Sequence, residues 1–281
     1  MDSLKEILYR NGFSFKKAFG QNFISDTNLL KSIVSGAEIT KEDTVLEIGC
    51  GAGTLTRELA LSAKRVIAYE IDTNLKPVLS ETLFGLDNVN VIFSDIMKNK
   101  ITAVEKEIGT NYKVVANLPY YITTPIIMRF IEQAERADSL VIMVQEEVAD
   151  RLCAKPNTAE YGSITAAVNL VGDAKIIKRV PKHMFTPVPK VDSAVVRIDI
   201  DRNKYSVLST EVYRDMLRSA FGNRRKMFVN NLMQTFKLSR AEAEELLNET
   251  GVSLTARGET LSSDVFVELT NKYVENFKCK K

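Results

Sequence analysis

Residues 44–63 read Thr-Val-Leu-Glu-Ile-Gly-Cys-Gly-Ala-Gly-Thr-Leu-Thr-Arg-Glu-Leu-Ala-Leu-Ser-Ala, and the fold turns on them. An apolar, β-branched run (44–49) meets a glycine-rich turn and passes into a segment with helical periodicity (55–63). Gly49, Gly51 and Gly53 let a backbone turn tightly and approach a ligand with no Cβ in the way. The spacing is Gly-x-Gly-x-Gly, not the Gly-x-Gly-x-x-Gly of most nicotinamide-binding folds. A plain tight turn would use the same residues, so the meaning of the loop depends on what surrounds it.

Outward from this stretch the pattern repeats. Runs at 65–71, 90–94, 113–117 and 140–144 are nearly continuous in apolar residues, as parallel strands buried on both faces require. Helical patterns at 74–84 and 125–134 lie between them, the latter opened by Thr124 and Pro125, a cap residue followed by proline at the first helical position. Alternating strand and helix predicts an α/β fold, a doubly wound Rossmann-like sheet. Residues 193–200 read as a final strand, antiparallel at the end of the sheet. Beyond Asp201 only amphipathic helices are expected, at 209–221, 226–236, 239–250 and 262–276, with a capping box at Ser239 and Glu242 and a stop at Gly251. The expected division is an α/β domain over 1–201 and a small all-helical domain over 202–281.

Composition narrows the chemistry. With 45% hydrophobic and 26% charged residues, the 281-residue chain is an ordinary globular protein. Its first thirty residues carry charges throughout, and no apolar run approaches a membrane span, so an unexported, cytoplasmic protein with no membrane partner is expected. Cys50, Cys153 and Cys279 are dispersed, and His183 is the single histidine, so neither a metal centre nor histidine-based hydrolysis is expected. Net charge is only +2, but its distribution is uneven. Lys175, Lys178, Arg179, Lys182 and Lys190 form one basic stretch, and Arg214, Arg218, Arg224, Arg225 and Lys226 another. Either alone reads as solvated surface; two beside a base-binding motif point to phosphate contacts, made by Lys178, Arg179, Lys182, Lys190, Arg224, Arg225 and Lys226.

Three strand ends then form a pattern. Glu70 ends the second strand about twenty residues beyond the glycine loop, where an acid can accept both ribose hydroxyl hydrogens of an adenosine-type cofactor. Asp95 ends the third, where a carboxylate can accept from an adenine amine. Either acid alone could be a helix cap or a surface turn. Together with the glycine loop they define a nucleoside site at the strand-end edge of the sheet. The fourth strand ends in Asn117-Leu118-Pro119-Tyr120. Methylating an adenine amine asks for acceptors aimed at its two hydrogens, which favour a tetrahedral nitrogen and restore the lone pair as positive charge develops. The Asn117 amide oxygen and the Leu118 carbonyl, released from a ladder by Pro119, can supply them, and Tyr120 offers a ring face to the base. A strand-terminating turn would also use Asn and Pro; the upstream nucleoside signature favours the chemical reading.

The chain resembles, over nearly its whole length, the KsgA-type family of small-subunit ribosomal RNA adenine dimethyltransferases. The resemblance is carried in order by residues 19–23 (Phe-Gly-Gln-Asn-Phe), 47–53, 117–125 (Asn-Leu-Pro-Tyr-Tyr-Ile-Thr-Thr-Pro), 144–151, 185–193, 221–226 (Phe-Gly-Asn-Arg-Arg-Lys) and 257–259 (Arg-Gly-Glu). It implies that Asn22 and Ile24 help close over S-adenosylmethionine, with Gly49, Glu70, Asp95 and Asn117 completing its site. It implies that Asn117, Leu118 and Tyr120 face the target adenine while Phe185 stacks on the other face of the flipped base, although core packing would also explain a phenylalanine there. The implied substrate is two adjacent adenosines in a loop near the 3′ end of 16S rRNA, each dimethylated. The implied partner is a 30S assembly intermediate, and a monomer is the default expectation. Two positions depart from the family pattern: Cys50 stands where proline is frequent, and Ile24 where leucine is usual.

Other readings make different demands. The related family that methylates 23S rRNA and confers macrolide resistance tends to have Asn-Ile-Pro-Tyr-Asn, against Leu118 and Tyr121 here. A non-catalytic RNA-binding assembly factor would have no need of the intact 117–120 motif. A nicotinamide-dependent dehydrogenase is disfavoured by the glycine spacing.

Overall fold

The apolar runs become the strands of one sheet. In the computed structural model, which describes residues 3–16 and 19–278 and so leaves Cys279 outside the described residues, the chain opens with α1 (Leu4–Arg10), β1 (Phe23–Ile24) and α2 (Thr27–Gly36). Strand–helix repeats follow: β2 (Thr44–Ile48), α3 (Thr54–Ser62), β3 (Arg65–Glu70), α4 (Lys76–Thr82), β4 (Val89–Phe93), α5 (Ile101–Ile108), β5 (Tyr112–Asn117), α6 (Thr123–Gln133), β6 (Ala137–Gln145) and α7 (Glu146–Leu152). The chain continues through α8 (Ser163–Val171), β7 (Gly172–Val180), β8 (Phe185–Thr186) and β9 (Ser193–Ile200). It ends in helices α9 (Thr210–Gly222), α10 (Phe228–Phe236), α11 (Arg240–Glu249) and α12 (Ser263–Tyr273).

The seven-stranded sheet has the order β4-β3-β2-β5-β6-β9-β7. Pairing is parallel from β4 to β6, and β9 runs antiparallel to β6. The antiparallel final strand was expected, but it does not end the sheet: β7, legible in the sequence only as a basic stretch, takes that edge. Its alternation is masked by charge, because an edge strand can carry lysines on its exposed face. Strand β2 lies between β3 and β5, so the order reverses there, and the crevice beyond its carboxyl end is where an open α/β sheet binds ligands. Val45, Val66, Val115 and Val141 of the sheet pack with Leu29 and Ile33 of α2 and Leu55 and Leu59 of α3.

The chain forms two compact units. One takes in residues up to Ala149 and again Lys175–Ile200; the other takes in Asp150–Ala174 and the chain from Asp201 on. The reading of 1–201 as one domain therefore differs from the contacts at 150–174. Tyr161 and Ala166 of that segment belong to the core of the helical unit, with Tyr213, Leu217, Phe228 and Phe266. The Tyr213 hydroxyl donates to the Ala166 carbonyl, and the Tyr161 hydroxyl to that of Leu261, both at 2.9 Å. An apolar helix following a strand has the same periodicity whichever core it enters, so the sequence did not separate the two cases. In the same unit Gly258 lies so close to α9 that a Cβ would sit 2.4 Å from the Ala220 carbonyl oxygen. The Arg224 guanidinium reaches Glu259 at 2.8 Å, so the 221–226 and 257–259 motifs meet. Among the described residues no helix is long and apolar enough to cross a membrane.

Candidate active site

The register of the sheet assembles the site. Ile48 is paired with Tyr69 on one side and with Ala116 on the other, so Gly49, Glu70 and Asn117 emerge one step further on, at three neighbouring strand ends. Glu70 is paired with Phe93, which brings Asp95 to the same rim. These residues line a cavity of about 330 Å³ together with Asn22 and Ile24.

Main-chain geometry shapes the cofactor side. Gly49, Gly51 and Gly53 have φ of 73°, 54° and 80°, a region that favours glycine. At Gly51 space matters as well, because a Cβ would come within 2.9 Å of the Phe23 ring. The loop is held by Gly49 and Cys50 N–H groups donating to the Tyr69 carbonyl at 2.8 and 3.2 Å. Cys50 is buried; burial and the neighbouring Glu47 and Glu70 push its thiol well up, so it is a small, inert filler where proline is frequent.

Glu70 is 6% exposed, and each carboxylate oxygen already accepts one backbone N–H, Oε1 from Asp72 and Oε2 from Gly51, both at 2.8 Å. A carboxylate offers about four acceptor positions, so capacity for two ribose hydroxyls is retained. Burial raises the Glu70 pKa, and the backbone donors of Asp72 and Gly51 oppose that rise. Asp95 caps the turn 96–98 by accepting from the Met97 N–H at 2.9 Å. It therefore has the cap role as well as a place on the cavity wall. A buried carboxylate with acceptor positions to spare, a second acid on the same rim and a loop of positive-φ glycines fit an adenosine-type cofactor.

Beneath them lies Glu47, 1% exposed, with Oε2 lacking a hydrogen-bond partner. Burial, with the charge of Glu70 added, raises its carboxyl to about 8.

On the base side, Asn117 donates from Nδ2 to the Asn22 carbonyl at 3.0 Å. With the nitrogen engaged, the amide oxygen is the end left to accept. The β5–β6 register stops at Asn117, so the Leu118 carbonyl lies beyond the ladder, although the Leu118 side chain is buried. Pro119 leads into the turn 120–122, where the Tyr120 and Ser193 hydroxyls lie 2.9 Å apart and fix the ring. Ile24 is buried in β1, and its carbonyl accepts from Thr54 Oγ1 at 2.7 Å.

Phe185 requires a correction. It is 2% exposed, paired with Ile24 through the β1–β8 ladder, and packed in the core of the α/β unit, so it presents no open face to a base. The core-packing alternative describes its position. Of the basic residues, Lys178, Lys182 and Lys190 are exposed on the α/β unit, and Arg225 and Lys226 on the helical unit. Arg179 is ion-paired with Glu146 and Arg224 with Glu259, so these two help hold their own units together. Sequence reasoning missed Lys16, Gln21 and Asp72, which join across 56 and 51 residues. No local spacing could have signalled that contact.

A Rossmann-like sheet with a nucleoside cavity and an Asn-Leu-Pro-Tyr rim defines an adenine-directed methyltransferase of the class I type. The family model described as ribosomal RNA adenine dimethylase matches residues 12–273, and the chain belongs to that family, whose activity is the S-adenosylmethionine-dependent dimethylation of adenine in ribosomal RNA. It is 45% identical, over 95% of its own length and 94% of the relative's, to the ribosomal RNA small subunit methyltransferase A of Bacillus pumilus. Among solved structures it is similar to a dimethyladenosine transferase from Plasmodium falciparum, with a TM-score of 0.78 at 24% identity, covering 90% of this chain and 98% of that one; this supports the fold. It is also similar to the 23S rRNA methyltransferase ErmE, with a TM-score of 0.69 at 28% identity, covering 89% and 98%.

Proposed function

We propose that the protein dimethylates the N6 amines of two adjacent adenosines in a loop near the 3′ end of 16S rRNA, acting as a cytoplasmic monomer on a 30S particle still being assembled. The observation that carries this reading is the anchored Asn117 amide, one register step from the glycine loop, opening the Asn-Leu-Pro-Tyr turn. Identity of 45% to a small-subunit enzyme, against 28% to a large-subunit one, supports the choice of particle.

Glu70 and Asp95 would hold the ribose and adenine of S-adenosylmethionine, with Gly49, Gly51, Gly53, Asn22 and Ile24 shaping the remainder of its site. When bound, that cofactor supplies an electrophilic sulfonium methyl. The Asn117 oxygen and the Leu118 carbonyl accept the two N6 hydrogens of the target base, which concentrates the lone pair on nitrogen as charge builds. Tyr120 supports the base by its ring face. The methylated nitrogen is strongly acidic, so its proton leaves to water and no dedicated base is required. Lys178, Lys182, Lys190, Arg225 and Lys226 contact phosphates, a role that predicts salt-sensitive binding.

Methyl incorporation into isolated small and large subunits, mapped by mass spectrometry of the digested RNA, tests this reading. Dimethyladenosine at two adjacent positions of small-subunit RNA is expected. Replacement of Asn117 by alanine should lower kcat roughly 10²–10³-fold while RNA binding persists. Incorporation confined to the large subunit, or full activity in Asn117→Ala, would overturn it.

A further inference from the structure

Asp72 is buried, 1% exposed, and does not itself line the cavity, although its partners Glu70 and Gln21 do. Its Oδ1 accepts from Lys16 Nζ at 2.7 Å and from the Asn74 N–H at 3.2 Å, and its Oδ2 accepts from Gln21 Nε2 at 2.9 Å. The far end of the Gln21 amide accepts from the Lys16 N–H at 2.9 Å, closing a ring of three residues. Burial raises the Asp72 pKa, but Lys16 and Gln21 more than offset this and bring it below the usual carboxylate value, so the group is charged.

The two ends of Asp72 lead to different parts of the site. Its backbone N–H donates to Glu70 Oε1, the acid that faces the ribose position. Its side chain holds Gln21, the neighbour of Asn22, and the Asn22 carbonyl holds the Asn117 amide. We propose that Asp72, with Lys16 and Gln21 as partners, is a positioning residue that clamps the Gln21–Ile24 segment onto the rim, so that cofactor capture and Asn117 orientation depend on one buried carboxylate. This rests on the S-adenosylmethionine reading of the cavity. A competing account makes Asp72 only the cap of the turn 73–75, which needs a single oxygen.

The two accounts separate when the clamp is cut from the other side. Lys16→Met with Gln21→Ala leaves Asp72 and its cap contact in place. Calorimetric titration of the full chain with S-adenosylhomocysteine, at a temperature where circular dichroism shows the variant folded, should show affinity reduced about tenfold or more, from the loss of hydrogen bonds to a buried charge. Asp72→Asn should weaken binding similarly, and adding it to the Lys16→Met/Gln21→Ala variant should cost nothing further, because the groups act as one unit. Hydrogen exchange at the amides of 20–24 in the ligand-free protein should rise in all these variants. Wild-type affinity and wild-type exchange in Lys16→Met/Gln21→Ala, or fully additive losses, would overturn the clamp. If the wild-type protein bound no S-adenosylhomocysteine, the cofactor reading would fail instead, and the exchange measurement on the free protein would still decide the clamp. Should Asp72→Asn not fold, the Lys16→Met/Gln21→Ala variant decides alone.

Discussion

On the glycine-loop side of the rim, recognition is built from main chain: positive-φ glycines, the Gly51 and Asp72 N–H groups on Glu70, and a turn hung from the Tyr69 carbonyl. On the Asn117 side it is built from side chains that depend on distant segments, Asn117 on Asn22 and Tyr120 on Ser193. A site made of backbone is set once its strands register, and replacing single side chains changes it little. A site made of side chains is exact only while several remote pieces of chain are seated. On the proposed reading, the glycine-loop wall of the nucleoside subsite is therefore the robust half of the cavity, and the base subsite, with the Gln21–Ile24 segment clamped by Asp72, the conditional half.

The largest expected effect bears on where the conditional half ends. Phe185→Ala should destabilise the protein by about 3–5 kcal/mol, the usual cost of emptying a buried phenylalanine site, measured by chemical denaturation. Unchanged stability with lost methylation would make Phe185 a substrate contact and extend the conditional half to it.

Next comes the robust half and its buried acid. Burial, with Glu70 adding to it, pushes the Glu47 carboxyl up to about 8 in the folded protein, from an ordinary value of 4.5. The folded state thus keeps a proton that the unfolded chain releases, so the associated stability is complete below about pH 4.5 and is lost as pH rises through about 8. Between about pH 5 and pH 8 the loss should be roughly 3 kcal/mol. Glu47→Gln removes that titration, so its unfolding free energy should vary less with pH than that of the wild type; identical pH profiles would contradict the assignment.

The smallest effect concerns one hydroxyl. Tyr120→Phe keeps the ring and loses the contact with Ser193, so methyl transfer should slow by less than tenfold, in line with about 1 kcal/mol for a single hydrogen bond. A loss as large as that of Asn117→Ala would mean that the hydroxyl itself acts on the base.

The same contrast explains what could be read in the sequence. The glycine loop, Glu70, Asp95 and Asn117 were legible because strand ends recur with a period that apolar runs announce. The burial of Phe185 was not, since a phenylalanine after a loop looks the same whether it faces a core or a base. Strands of two residues, such as Phe23–Ile24 and Phe185–Thr186, have no periodicity to detect. Strand β7 was hidden by its lysines, and residues 150–174 by an apolar pattern that suits either core. Asp72 was hidden by distance along the chain, because its meaning lies in partners more than fifty residues away.

The pairing of Phe23 with Thr186 and of Ile24 with Phe185 has a temporal side. During translation the amino-terminal partners emerge early and wait for about 160 further residues before their mates exist. The nascent α/β unit can register its central parallel strands well before then, but β1 gains its ladder only once residue 186 has cleared the exit tunnel. Nascent chains arrested just short of that point should carry a folded sheet with an unfinished mouth.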